Sequence, residues 1–483
     1  MAVSTPEDFD VLKSKGNACF NECLYSQALS FYSDALKLKN DPIILCNRAL
    51  VHLKCENFGS ALSDSSAAIA LNPQNTKAYY RRGMAYFALT KFTLAGRDFK
   101  KSILLSPTNH AARSRFEECK KNIKRLKFEA AISNVNIRAS ERLNIDDFFV
   151  GESYDGPCLD HDGKITESFI ESMVVHFKNG KQIHKRFVAQ ILLRVKKIFE
   201  ELPNICEVSI PNGSTFTICG DIHGQFFDLC NIFEINGKPT HDNTYLFNGD
   251  FVDRGSFSCE VILTLFAYKC LLPKHFHLLR GNHETNAMNA LYGFQGELTQ
   301  KYGKSFTSIF DEVFCTLPLG CVLSEQIFIM HGGLFSDSEI TIQRLNAMDR
   351  FKEPSDNGVF SEILWSDPCD SCGKFPNKRG VGIAFGPDIT KNFLNKNGLK
   401  LVIRSHEVKD QGYEIQHGNN LITVFSAPNY CDQMGNKVLL LRFPCGAFIR
   451  LKSDMIPEFI TFDAVSHPNI PAMFYANPYT KIL

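Results

Sequence analysis

Small and apolar residues recur at a fixed interval along the first part of the chain. Ala28, Ala61 and Ala95 are 33 and 34 residues apart, and Gly16, Ala49 and Gly83 precede them by 12. Tyr32, Ser65 and Phe99 follow by four residues, and Ala35, Ala68 and Ser102 by seven. Small residues at these offsets let two antiparallel helices approach closely, so the spacing predicts three stacked helical hairpins. They span about residues 9–41, 42–75 and 76–109, with an amphipathic capping helix over 111–134. Pro73 and Pro107 close the second and third units, while the first has Asn40 there and is one residue short. From residue 214 the pattern changes. Short apolar runs, STFTIC (214–219), TYLFN (244–248), HFHLL (275–279), QIFIM (326–330), LVIR (401–404) and LITVF (421–425), each lead into a polar cluster. Runs of this length read as buried strands. Helical stretches fall between some of them, at 258–271 and about 290–317. The expectation is an all-α domain over 1–136, a linker over 137–150, and an α/β domain over 151–483 whose strand ends deliver polar side chains to one edge.

Composition sharpens this picture mainly through its division along the chain. The 483 residues carry a net charge of only +1, which argues against nucleic-acid or membrane-surface binding by the chain as a whole. Residues 1–136 hold 20 Lys+Arg against 12 Asp+Glu, net +8, and residues 137–483 hold 33 against 40, net −7. A basic part precedes an acidic one. No run is apolar enough to predict a transmembrane segment, and the start MAVSTPEDFD has no secretory h-region. Seventeen Cys without such a signal suggest reduced thiols and a cytoplasmic and nuclear protein.

The polar clusters name a chemistry. Asp221, His223, Asp250, Asn282, His331 and His406 follow the apolar runs, and all are hard or borderline oxygen and nitrogen donors. That set favours Mn, Fe, Zn or Mg over soft metals. Asp250 shared between two ions would hold them ~3.5–4 Å apart, the spacing of two-metal hydrolytic sites. Two divalent ions, two carboxylates and a hydroxide leave a small positive residue of charge that attracts a phosphate dianion. Cys369 and Cys372 have zinc-like spacing, but no second pair accompanies them. In the basic part, Lys13 and Asn17 share one helix face and Lys77 and Arg81 another. With Asn47 they converge on one groove, suited to a carboxylate-rich peptide.

Two family resemblances follow. The hairpins resemble the tetratricopeptide repeat, and Lys13, Asn17, Asn47, Lys77 and Arg81 match the two-carboxylate clamp of repeat domains that hold the EEVD tail of heat-shock protein 90. The motifs GDIHG, GDFVDRG, RGNHE, HGG, RSHE and SAPNYC, in that order, resemble the phosphoprotein phosphatase family over roughly residues 150–475. With WSDP, KRGVG and FSAPNYCDQMGNK, and with repeats in front, the chain is similar to the type 5 branch of that family.

The resemblance implies a metallophosphoesterase domain with a β-sandwich core flanked by helices, acting on phosphoserine and phosphothreonine proteins. It implies that Asp221, His223 and Asp250 hold one metal, and Asp250, Asn282, His331 and His406 the other. The ions would be Mn2+ or Mg2+ in vitro, and iron or zinc in the cell. Their bridging hydroxide would attack phosphorus, Arg254, Arg379, Asn282 and Tyr430 would hold the phosphate, and His283, kept cationic by Asp253, would protonate the leaving oxygen. It further implies autoinhibition by the repeats, relieved by the chaperone tail or a fatty acid, with Glu56 as a closing contact near Arg254. Phe425 and Asp367 either shape the substrate groove or pack the core, and Glu284 reads as a structural carboxylate. The stretch Gly382-Ile383-Ala384 and the tail NPYTKIL depart from the family pattern. Two rival readings are a catalytically weak chaperone adaptor and another metallophosphoesterase. The intact catalytic positions disfavour the first, and the SAPNYC and Arg379 motifs the second.

Overall fold

A computed structural model describes residues 8–132, 138–160, 163–431 and 445–476. The acidic start, part of the linker, the DQMGNK stretch and the NPYTKIL tail lie outside the described residues, wholly or in part. The chain forms two compact units, each taken by itself below.

The first unit is all helix: α1 (Phe9–Asn21), α2 (Tyr25–Leu38), α3 (Pro42–Lys54), α4 (Phe58–Leu71), α5 (Thr76–Ala88), α6 (Phe92–Leu105) and α7 (His110–Ile132). Each of the first three pairs turns through one residue in the left-handed region, at Cys23 (φ 60°), Glu56 (φ 56°) and Thr90 (φ 57°). Glu56 therefore belongs to the turn after α3. Asp41 replaces the missing proline signal of the first unit, because its carboxylate accepts from Ile43 (2.8 Å) and Ile44 (3.1 Å) and caps α3.

The periodic small residues mark where helices cross. A Cβ on Gly16 would lie 2.6 Å from the Tyr32 ring, and one on Gly83 2.8 Å from the Phe99 ring. The middle unit has Ala49 and Ser65 at the equivalent positions, both fully buried. A larger residue on the first helix thus accompanies a smaller one on the second. A ladder that the spacing did not predict reinforces the last two units: Arg48 grips Asp64 bidentately (2.8 and 2.7 Å), and Arg82 grips Asp98 (2.7 and 2.9 Å).

The second unit is a β-sandwich. Its strands are β1 (Ile205–Val208), β2 (Thr215–Cys219), β3 (Asn243–Phe247), β4 (Phe276–Leu278), β5 (Gly320–Leu323), β6 (Ile327–Met330), β7 (Asp367–Pro368), β8 (Lys374–Pro376), β9 (Ile383–Phe385), β10 (Leu401–Arg404), β11 (Tyr413–Gln416), β12 (Leu421–Val424), β13 (Gly446–Leu451) and β14 (Glu458–Phe462). One sheet runs β1-β5-β6-β10-β12-β11, the other β14-β13-β2-β3-β4, and β7-β9-β8 form a small third.

Side chains alternate between two buried faces. Ile218, Leu246, Ile329, Ile403 and Val424 fill the space between the sheets. Tyr245 and Phe247 face helices on one side, such as Ser258–Leu271, and Phe328, Met330 and Val402 face those on the other. Burial on both faces is why the strands read as unbroken apolar runs. The expected helix at 290–317 is three: Asn286–Tyr292, Phe294–Lys301 and Ser305–Phe314. Gly293 (φ 126°) and Gly303 (φ 90°) break it, with backbone angles that helix cannot accommodate.

Gly83→Ala tests the helix-crossing account. Helix propensity alone would stabilise α5 by up to ~1 kcal/mol, whereas overpacking against Phe99 costs ~1–3 kcal/mol. Urea unfolding followed by circular dichroism is expected to show net destabilisation; a gain would refute the close crossing.

Candidate active site

Two triplets of neighbouring parallel strands aim their carboxyl ends at one place. In one sheet, β2, β3 and β4 lead to Asp221 and His223, to Asp250, Asp253 and Arg254, and to Asn282 and His283. In the other, β6, β10 and β12 lead to His331, His406 and Tyr430. The position is the expected one for a site in an α/β sheet. Several of these residues hold left-handed backbone: His223 (φ 46°), Asp250 (φ 53°), Asp253 (φ 71°), Arg254 (φ 70°) and His406 (φ 70°). Such conformations cluster at functional sites because surrounding structure must impose them.

Asp250 is the centre of the cluster. Its Oδ2 lies 3.5 Å from His223 Nε2 and 3.3 Å from His331 Nε2. Asp221 Oδ2 is 3.6 Å from the same His223 nitrogen, and its Oδ1 accepts the His406 amide at 3.0 Å. His331 Nε2 is 2.9 Å from Asn282 Oδ1 and 3.2 Å from His406 Nδ1. Among the described residues, two groups have ligand atoms mutually within 4.8 Å, namely His223, Asp250 and His283, and Asp250, His331 and His406. Asp250 is common to both.

The donor chemistry fits divalent cations. His223 Nδ1 faces the Val252 carbonyl (3.0 Å) and His331 Nδ1 the Asn248 carbonyl (2.7 Å), so each ring keeps a proton there, and Nε2, once it gives up its own, is the nitrogen that would ligate. Asp221, Asp250, Asn282 and His406 complete an oxygen and nitrogen set with no thiolate.

Electrostatics tie the cluster together. Burial opposes the charge of Asp250, but His331, His283 and His223 outweigh it and hold the carboxyl well below the usual range. Burial likewise opposes charge on His331, yet Asp250 and Asp221 keep its pKa up at about 9. His223 is raised for the same reason.

Beside the cluster, His283 Nδ1 is 2.8 Å from Asp253 Oδ2. Asp253 also accepts from Asn289 (3.0 Å) and the Phe294 amide (2.9 Å), which leaves that ring one orientation. The Arg254 guanidinium stacks on Tyr292 with 3.7 Å from Cζ to the ring centre. The Tyr430 ring lies 5.1 Å from that of His223 and 5.4 Å, edge-on, from Phe425. Arg379 sits on the turn at 376–381, where its amide donates to Asn377 Oδ1 (2.9 Å). Glu284 accepts from the amides of Asp250 (2.8 Å), Phe251 (2.8 Å) and Gly281 (2.9 Å); burial and Asp250 push its pKa up to about 7 against those amides. It fastens two loops together. A Cβ on Gly281 would lie 2.3 Å from Asp250 Oδ1, which is why glycine stands there. Asp367 is buried against Arg404 (3.0 Å), which also bonds the Gly332 carbonyl (2.6 Å), so packing decides that residue.

Sequence reasoning missed Asn248, Asn289, Tyr292, Arg404 and Trp365. Asn248 could have been found, since it closes an apolar run immediately before Gly249-Asp250. Arg404 and Trp365 stood inside the RSHE and WSDP motifs without a role being read from them, and Asn289 and Tyr292 had no local signal.

In the first unit, Asn17 Oδ1 accepts from the Tyr32 hydroxyl (2.7 Å) and from Asn47 (3.3 Å). Arg81 donates to the Cys46 carbonyl. Lys77 and Arg81 line a groove of about 310 Å3 with Leu50, Leu53, Tyr80 and Met84. Lys13 lies one turn before Asn17 on α1.

Trp365, the one tryptophan of the chain, meets His406 edge-on at 5.6 Å. Mn2+ binding is therefore expected to quench its fluorescence. It is also expected to release a proton at neutral pH, because His331, charged below about 9, must bind as the neutral ring. Calorimetry in two buffers of different ionisation enthalpy reads that proton; heats independent of buffer would contradict the charge assignment.

Residues 214–410 match the Calcineurin-like phosphoesterase family model. Residues 76–109 match the Tetratricopeptide repeat, and 116–207 the PPP5 TPR repeat region. Serine/threonine-protein phosphatase T of Trypanosoma brucei brucei is 47% identical over 98% of each chain. Serine/threonine-protein phosphatase 5 of Homo sapiens is 45% identical over 98% of this chain and 93% of its own length. A solved Saccharomyces cerevisiae protein serine/threonine phosphatase, with similarity to human phosphatase PP5, superposes with a TM-score of 0.61 at 40% identity, covering 64% of this chain and all of the other. Matched along nearly its whole length at this level, the chain belongs to the serine/threonine-protein phosphatase 5 and T family.

Proposed function

We propose that this phosphatase hydrolyses phosphoserine and phosphothreonine through two divalent cations, one on Asp221, His223 and Asp250 and the other on Asp250, Asn282, His331 and His406. The observation that carries the reading is Asp250, within 3.5 Å of imidazole nitrogens on both sides, with the His283–Asp253 pair alongside. When bound, the cations supply Lewis acidity, which attracts the phosphate dianion and makes water acidic enough to attack at neutral pH. Arg254, braced on Tyr292, offers a planar two-donor grip on phosphate oxygens, and Arg379, Asn282 and Tyr430 add donors. Asp253 holds His283 by Nδ1, so Nε2 carries the proton that passes to the departing serine or threonine oxygen. Mn2+ or Mg2+ suits this donor set in vitro and iron or zinc in the cell, since no thiolate selects a softer ion.

His283→Asn separates this chemistry from metal binding. Turnover of a phosphoserine peptide is expected to fall ~10²–10⁴-fold, while Mn2+ still quenches Trp365. Para-nitrophenyl phosphate, whose leaving group needs no proton, is expected to lose much less. Equal losses on both substrates would exclude His283 as the acid.

The reading extends to regulation. The groove of Lys13, Asn17, Asn47, Lys77 and Arg81 takes the C-terminal EEVD carboxylates of heat-shock protein 90, and the +8 and −7 parts attract one another when idle. Glu56 closes the site near Arg254, and either the chaperone tail or a fatty acid opens it, in the cytoplasm and nucleus. An EEVD-ending peptide is expected to raise turnover of the full chain several-fold. Arg81→Ala keeps the basal rate and loses the response, and a chain lacking residues 1–136 runs fast without peptide. A truncated chain at the basal rate would refute the autoinhibition.

A further inference from the structure

Cys369 and Cys372 form the one CxxC pair among seventeen cysteines, and neither metal binding nor the catalytic cluster uses them. Cys206, Cys219, Cys230, Cys259 and Cys321 are buried, whereas Cys369 is half-buried and Cys372 exposed. The loop between them is pinned at both ends. The Cys369 amide donates to the Phe385 carbonyl (2.9 Å), the Gly386 amide to the Gly373 carbonyl (2.9 Å), and the Gly373 amide to Asp388 Oδ1 (2.8 Å). The chain bends so tightly over Gly386 that a Cβ there would lie 2.2 Å from the Ser371 carbonyl oxygen and 2.8 Å from Cys372 Cα. The Cys369 thiol turns into this loop and donates to the carbonyl oxygen of Ser371 (3.4 Å), the residue next to Cys372.

A zinc site lacks its remaining ligands. Among the described residues, every group of three or more metal-capable side chains lies in the catalytic cluster. The imidazole that bonds this loop, His417, spends Nε2 on the Cys369 carbonyl (3.0 Å) and Nδ1 on Thr390 (2.8 Å).

We propose that Cys369 and Cys372 are a reversible dithiol–disulfide pair, whose oxidation stiffens the segment leading through β8 to the Arg379 turn. The exposed Cys372 sulfur attacks hydrogen peroxide; the S–O bond forms, the O–O bond breaks, and the leaving oxygen departs as water. Cys369 sulfur then displaces the hydroxyl of that sulfenic acid, forming the S–S bond and a second water. Two thiols and one peroxide give one disulfide and two waters, and a small dithiol reverses the change. The effect on catalysis rests on the reading of Arg379 as a phosphate-binding residue; the disulfide itself does not.

The test oxidises the full chain with the thiol-specific oxidant diamide, blocks free thiols and maps peptides by mass spectrometry. A single 369–372 disulfide, reversed by dithiothreitol, is expected, and Cys372→Ser leaves Cys369 open to alkylation. Both cysteines still alkylated after oxidation, or Cys372 paired elsewhere, would overturn the proposal. Phosphopeptide KM is expected to shift at least threefold in the oxidised wild type and not in treated Cys372→Ser. A mapped disulfide with unchanged KM would overturn the control over the Arg379 turn alone.

Discussion

Everything in the second unit is arranged around a charge that cannot stand alone. Asp250 is 1% exposed, and an unpaired carboxylate so deep costs several kcal/mol. Three histidines lower that cost, drawn from loops after β2, β4 and β6. Those loops must therefore converge on one carboxylate, His223 and His331 at Oδ2 and the His283 amide at Oδ1. The electrostatic demand sets the geometry, and the same demand creates a place for cations.

Convergence has its own cost, visible in the left-handed backbone at His223, Asp250, Asp253, Arg254 and His406. Each such residue costs on the order of 1–3 kcal/mol, offset by a sandwich buried on three levels. Buried polar groups turn that stability into position. Glu284 ties the Asp250 loop to Gly281. Asn248 donates to the Met330 carbonyl and Ser405 (2.7 and 2.9 Å) while its own carbonyl orients His331. Arg404 joins the loop after β6 to Asp367. Without these braces the strained loops would relax and the imidazoles would lose the tautomers that leave Nε2 available.

What was legible in the chain follows from range. The strand-end motifs are local, three to seven residues long, so GDIHG, GDFVDRG and RGNHE announced their residues directly. The flanking strands were equally plain because they are apolar on both faces. The bracing partners were hidden because they are remote, as when Arg404 reaches Asp367 and Asn248 reaches Ser405. Strands β11 and β14 were missed for a related reason: with several side chains only half-buried or exposed, they lack the unbroken apolar run. The helix predicted at 290–317 failed at two glycines, whose backbone freedom outweighed the apolar periodicity around them.

The two units solve a shared problem in opposite ways. In the repeats, position comes from volume: Gly16 beneath Tyr32 and Gly83 beneath Phe99 set how closely each pair of helices lies, and the Arg48–Asp64 and Arg82–Asp98 ladder fixes rotation. The groove is thus a surface whose charges project from a rigid frame, with Asn17 and Asn47 already bonded to one another. In the sandwich, position comes from charge, because the side chains that matter satisfy each other inside. A surface built on volume keeps its shape whether or not a ligand neutralises its cations. A cluster built on charge does not, since each partner removed raises the cost of the charges left buried beside it. Asp250, whose charge the three histidines offset, is for that reason the least forgiving position, and its substitution disturbs the loops as well as the chemistry.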